Sequence, residues 1–248
     1  MKNIIGEIHI SSQNQKITII GSEGSRNCTI QFEDGTVLYN KRYEHIITGK
    51  VKNPYFLSVK GVGYIGVGKY TPSTNRKPNK DYGKWSDILE RCYDLKLHDR
   101  YPTYKDVKIC REWHDFQNFA KWYEENYNPD LMKGWHIDKD ILIKGNKIYS
   151  PETCCFVPPE INALFVKSDK IRGELPIGVS KDRDKFAAQI FIRGNRVHLG
   201  SFYSKEEAFQ VYKTEKEKHI KDIAEEFLPF IGVKIYQAMI NYTVEITD

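Results

Sequence analysis

The chain has no apolar run of about 18 residues, and Met1 to Ile10 lack the basic-then-apolar layout of a secretion signal. Neither a membrane span nor export is expected, and a soluble cytoplasmic protein is. Cysteine is scarce and oddly counted: Cys28, Cys92, Cys110, Cys154 and Cys155 contain no C-x-x-C pair. That argues against a disulfide framework and against zinc-knuckle spacing. Zinc shared by Cys92, Cys110, Cys154 and a nearby His is the weaker alternative to buried, reduced thiols. No internal repeat and no low-complexity tract interrupts the 248 residues. The glycines between Gly61 and Gly68 are followed neither by Gly-Lys-Ser/Thr nor directly by an amphipathic helix, so they read as a turn-rich connector rather than a phosphate loop.

What is present is ordinary globular usage: 40% hydrophobic, 29% charged and 13% aromatic residues, too apolar for wholesale disorder. The length suits two or three small domains. Lys plus Arg exceeds Asp plus Glu by 38 − 33 = +5, which permits a polyanionic partner without demanding one.

Residues 1–60 alternate like short strands, Lys16 to Ile20, Cys28 to Phe32 and Thr36 to Tyr39, with Glu33-Asp34-Gly35 as a hairpin turn. They read as a small SH3-like β barrel that leaves through Asn53-Pro54. Trp85, Ile88, Leu89 and Cys92, then Phe116, Phe119, Ala120 and Tyr123, recur at helical spacing. The aromatic stripe Trp113, Phe116, Phe119, Trp122 and Tyr123 could stack on bases, but core is the stronger reading. From Gly134 the pattern predicts a hairpin from Trp135 to Leu142, a polar turn at Lys144-Gly145-Asn146-Lys147, a strand at Cys154 to Val157, and a helix after Pro158-Pro159. The last third predicts three strands, Gly178 to Ser180, Phe186 to Ile192 and Arg196 to Phe202, with Arg193-Gly194-Asn195 as a hairpin turn. A long helix follows, opened by a Ser204/Glu207 capping box and closed by Pro229, then a short helix around Ile235 to Tyr242.

Two segments resemble known families. Trp135-His136-Ile137-Asp138-Lys139-Asp140 through Pro151-Glu152 and Cys154 to Asn162 resembles the HNH nuclease motif, in which a ββα finger holds one divalent metal. The resemblance implies Asp138, Asp140 and Asn162 as ligands for one Mg²⁺ or Mn²⁺, with Asn146 orienting the loop. Lys139 stands where that family normally has its histidine base. His136, two residues before Asp138 on one face of a strand, is therefore the favoured base, ahead of Lys139 and Tyr149. The alternative is a solvated Asp138-Lys139-Asp140 cluster on a finger that no longer cuts.

Gly178-Val179-Ser180 through Lys185 to Ile190, Arg196 to Phe202 and Glu206-Glu207-Ala208 resembles the APETALA2/ethylene-response-factor DNA-binding domain. The resemblance implies a three-stranded sheet on one helix, reading duplex DNA with Lys181, Arg183, Lys185, Gln189, Arg193, Arg196 and His198. Gln189 is expected to pair with adenine in bidentate fashion. Ser180, Phe191 and His198 depart from the residues usual in that family. The combination is similar to mobile HNH endonucleases of phages and bacteria, as are Arg91 to Asp94 and Cys110 to Trp113.

The whole reads as an α+β chain: a β barrel over 1–60, an HNH-like domain over 61–172 with helices and a ββα finger, and an APETALA2-like domain over 173–248. The expected function is a homing-like DNA endonuclease using one divalent ion. An inactive HNH-derived DNA-binding protein, acting as regulator or inhibitor, is the alternative. A protein partner for the N-terminal module is a further one.

Overall fold

The computed structural model describes residues 3–166 and 174–248, and it is an α+β chain with several small antiparallel sheets. It divides into two compact units, 1–123 and 124–248. Among the described residues no helix is long and apolar enough to cross a membrane.

The first unit opens with strands β1 (Ile8–Ile10), β2 (Lys16–Ser22), β3 (Cys28–Phe32) and β4 (Val37–Lys41), in the order β1-β2-β3-β4. Alternation works as expected: Ile17, Ile19, Cys28, Ile30 and Phe32 point to one buried face. The expected barrel is corrected, because the sheet does not close. Strand β1 pairs with β2 and β4 with β3, and the two edge strands do not pair with each other. Helix α1 (Tyr43–Ile47) lies against β1 instead and sends Ile46 into the core. Asn53, at the expected exit, is buried and bonded: its N–H donates to Gln13 Oε1 at 2.7 Å, and its amide donates to Asp34 Oδ2 at 2.6 Å.

After the two-residue strands β5 (Ser73–Thr74) and β6 (Lys77–Pro78) come helices α2 (Lys80–Tyr93) and α3 (Leu95–Arg100). Short strand β7 (Lys108–Ile109) lies beside α2, and α4 (Phe116–Asn126) follows. The aromatic stripe is core. Trp113 packs edge-on to Phe119 at 4.9 Å between centroids, Trp122 lies at 4.8 Å, and Trp85 Nε1 donates to the Trp113 carbonyl at 2.7 Å. The glycine stretch exists for close approach: a Cβ on Gly63 would meet Leu89 at 2.4 Å and Trp85 at 2.8 Å.

The second unit contains β8 (His136–Asp138), β9 (Ile148–Tyr149), β10 (Cys155–Val157) and α5 (Pro159–Leu164). Then come β11 (Val179–Asp182), β12 (Lys185–Ile192), β13 (Asn195–Phe202), α6 (Lys205–Phe227) and α7 (Val233–Ile240). Strands β11-β12-β13 form an antiparallel meander and α6 packs on it, burying Val179, Ala188, Ile190, Ala208, Phe209 and Tyr212 together. Ser204 caps α6 as expected by accepting the Glu207 N–H at 3.1 Å, and its hydroxyl also donates to Glu206 Oε2 at 3.1 Å. Gly178 takes φ +75° with the Tyr212 ring 2.0 Å from where a Cβ would sit, so sheet and helix meet only because it is glycine.

Candidate functional site

Strand β8 alternates as its residue types require: Ile137 is buried while His136 is exposed and Asp138 half-buried on the other side. β10 pairs with it antiparallel, Cys155 opposite Asp138 and Val157 opposite His136. Pro159 occupies the first turn of α5, where its missing N–H costs nothing, and α5 lies against β8. Two strands and a helix therefore surround the acids. The regular part of β8 ends at Asp138, shorter than the run expected to Leu142. The cause is local: Asp138 Oδ1 accepts the N–H groups of Asp140 and Ile141, both at 2.8 Å, which turns the chain out of the ladder.

That turn brings two carboxylates together. The pKa of Asp138 is pushed up to about 6, first by burial and then by the negative charge of Asp140. Lys139 Nζ donates to Asp140 Oδ2 at 3.2 Å and sits 5.9 Å above the Tyr149 ring, so it is engaged as a cation and Tyr149 is buried beneath it. Asn146 braces the loop: its amide donates to the carbonyls of Lys139 at 2.6 Å and Ile148 at 2.7 Å, and its Oδ1 accepts the Ile148 N–H. Asn162 is half-buried on α5, its backbone bonded to Pro158 and Phe165.

Three neighbours of the acids left no mark in the sequence. The Cys155 thiol is pushed up, chiefly by burial and then by the charge of Asp138 across the strand pair. The Tyr242 hydroxyl is pushed up by burial, then by Asp248 and Asp140. Lys144 donates to Asp248 Oδ2 and to the Thr243 carbonyl, each at 2.7 Å, tying the acidic loop to residues a hundred positions away. Among the described residues no three His, Cys, Asp or Glu side chains gather as metal ligands.

The seven DNA-facing candidates separate by position. Strand register places Lys185, Gln189, Arg196 and His198 on the face turned away from α6. Lys181 pairs with Phe186, a residue packed towards α6, and its ammonium lies 4.5 Å from that ring's centre. Arg183 occupies the β11–β12 turn with φ 53°, and Arg193 the β12–β13 turn with φ 50° and a salt bridge to Glu226 on α6. Arg196 Nε donates to Gln189 Oε1 at 2.5 Å, which takes up the acceptor that bidentate adenine pairing would use. Phe191, opposite Arg196, is 62% exposed.

Comparison with protein-family models, with curated proteins and with solved structures finds no match to this chain.

Proposed function

We propose that this chain is a DNA-binding endonuclease of the HNH kind, homing-like in its division between a cutting finger and a reading sheet. The observation that carries the reading is the crowded carboxylate pair at the end of β8. Two oxygen-rich side chains held together, one of them keeping its proton to about pH 6, form an environment that a hard divalent cation relieves. The donor chemistry fits Mg²⁺ or Mn²⁺, with the Asn162 amide oxygen, water and a phosphate oxygen to complete the shell. Such an ion supplies neutralisation of charge on the scissile phosphate.

The chain's own residues do the rest. Asp138 is fixed by two backbone N–H groups, and Asn146 keeps the loop that carries Asp140 in one shape. His136, exposed on the same face of β8, takes the proton from the attacking water. Lys139 serves as counter-charge to Asp140 rather than as base. Lys185, Gln189, Arg196 and His198 hold the duplex, which raises the effective concentration of the phosphate at the acids.

A second reading, a retired nuclease acting as a DNA-binding regulator or inhibitor, is favoured by one observation. The Lys139–Asp140 ion pair already offsets one of the two carboxylates.

Incubating supercoiled and host genomic DNA with the protein and Mg²⁺ or Mn²⁺ tests the first reading; nicked or linear product is expected. Asp140→Ala or Asn162→Ala abolishes cleavage and spares binding, whereas Arg196→Ala weakens binding and lowers its salt slope by about 1. Uncut DNA throughout, with no heat of Mn²⁺ binding in the presence of DNA, leaves the second reading.

A further inference from the structure

The hydrogen bond between Arg196 and Gln189 limits what the C-terminal sheet can read. A guanidinium has donors only, so the group facing Arg196 Nε must be the amide oxygen of Gln189, which leaves the glutamine NH₂ to act outward. Free glutamine offers one donor and one acceptor, the complement of adenine N6 and N7. With its oxygen engaged it offers donors alone, and the remaining N–H groups of Arg196 are donors as well. A pair of side chains presenting only N–H complements a base edge presenting only acceptors. In the major groove that edge is guanine, through N7 and O6.

Phe191 completes the arrangement. It is the direct cross-strand partner of Arg196 and lies two residues from Gln189, so all three side chains share one face. Its ring is largely exposed, where folding gains little from an apolar side chain. The apolar feature of a major-groove edge is the C5-methyl group of thymine, carried also by 5-methylcytosine.

We propose that Gln189, Arg196 and Phe191 form one base-reading set that selects a guanine beside a pyrimidine bearing a C5-methyl group. The proposal rests on the DNA-binding reading above and adds the identity of the bases to it.

Selection of randomised duplexes by the full-length protein, followed by sequencing of the retained pool, tests it. The wild type is expected to enrich guanine at one position with thymine beside it. Arg196→Ala frees the glutamine oxygen and is expected to move that position from guanine towards adenine, an exchange that loss of structure does not produce. Arg196→Lys keeps the charge but not the fork, and is expected to retain salt-dependent binding with guanine preference lowered about ten-fold. Uracil in place of the neighbouring thymine weakens the wild type several-fold and leaves Phe191→Ser unchanged. Adenine at the selected position in the wild type, or no exchange in Arg196→Ala, overturns the proposal. Bound DNA with no base preference overturns the base-reading set alone, whereas no salt-dependent retention of any duplex overturns the DNA-binding reading and the set together.

Discussion

The turn at the end of β8 and the C-terminal sheet both present polar side chains from antiparallel strands, yet they treat charge in opposite ways. At the turn, Asp138 and Asp140 are drawn together in a half-buried setting where burial and like charge both disfavour ionisation. On the sheet, Arg196 and His198 stand in solvent beside Gln189, and Arg193 takes its carboxylate partner from the neighbouring helix at the surface. The difference teaches where each region keeps its free energy. The turn holds an electrostatic cost, from burial and like charge at Asp138. The sheet owes its stability to packing underneath, and its exposed cations are nearly free of structural duty.

The strongest test of that contrast is Gly178→Ala, which strikes the packing under the sheet. With positive φ and the Tyr212 ring in the way, the change is expected to cost about 3 kcal/mol, read as a lowered urea midpoint at every pH. Asp138→Asn tests the opposite half and should differ in sign. The folded-state pKa of Asp138 lies above its ordinary value, so the folded protein holds the proton more tightly than the unfolded chain. Stability is therefore lost as pH rises from about 4 to about 6, and the loss stays constant above that. The amide keeps the acceptor for the Asp140 and Ile141 N–H groups without the charge. The variant should be more stable than the wild type by about 1–3 kcal/mol at pH 8, with the gain gone below pH 4, in paired denaturation curves. Added Mn²⁺ should raise the wild-type midpoint and close the gap. Ser204→Ala, which removes the α6 cap, is expected to cost about 1 kcal/mol. Glu226→Gln, which breaks only an exposed ion pair, should change the midpoint by less than about 0.5 kcal/mol; a larger effect would show that the sheet's surface charges do hold it together.

Much of the fold was legible because it is written in local periodicity. Trp85 to Cys92 and Phe116 to Tyr123 announced helices, and Arg193-Gly194 announced the hairpin that closes Ile192 on Asn195. Ser204 announced its helix through its hydroxyl, which accepts the Glu207 N–H. The missing barrel was not legible, since alternation reports which face of a strand is buried and says nothing about whether the last strand meets the first. The same limit applied to the acids. Spacing placed His136 and Asp138 on one face. The Asx-type turn at Asp138, the bracing by Asn146 and the tie from Lys144 to Asp248 all depend on backbone directions that no residue pattern encodes.

Residue order alone determined the class of the chain, the position of each amphipathic helix and the candidate acids and cations, because side-chain period and turn chemistry act over a few residues. Tertiary structure alone decided that the first sheet stays open, that burial and the nearby Asp140 charge hold the Asp138 carboxyl above its ordinary range while Lys139 pairs with Asp140, and that Gln189 gives its oxygen to Arg196. These outcomes turn on distances of a few ångströms between side chains, and hydrogen bonding and desolvation change over that same range.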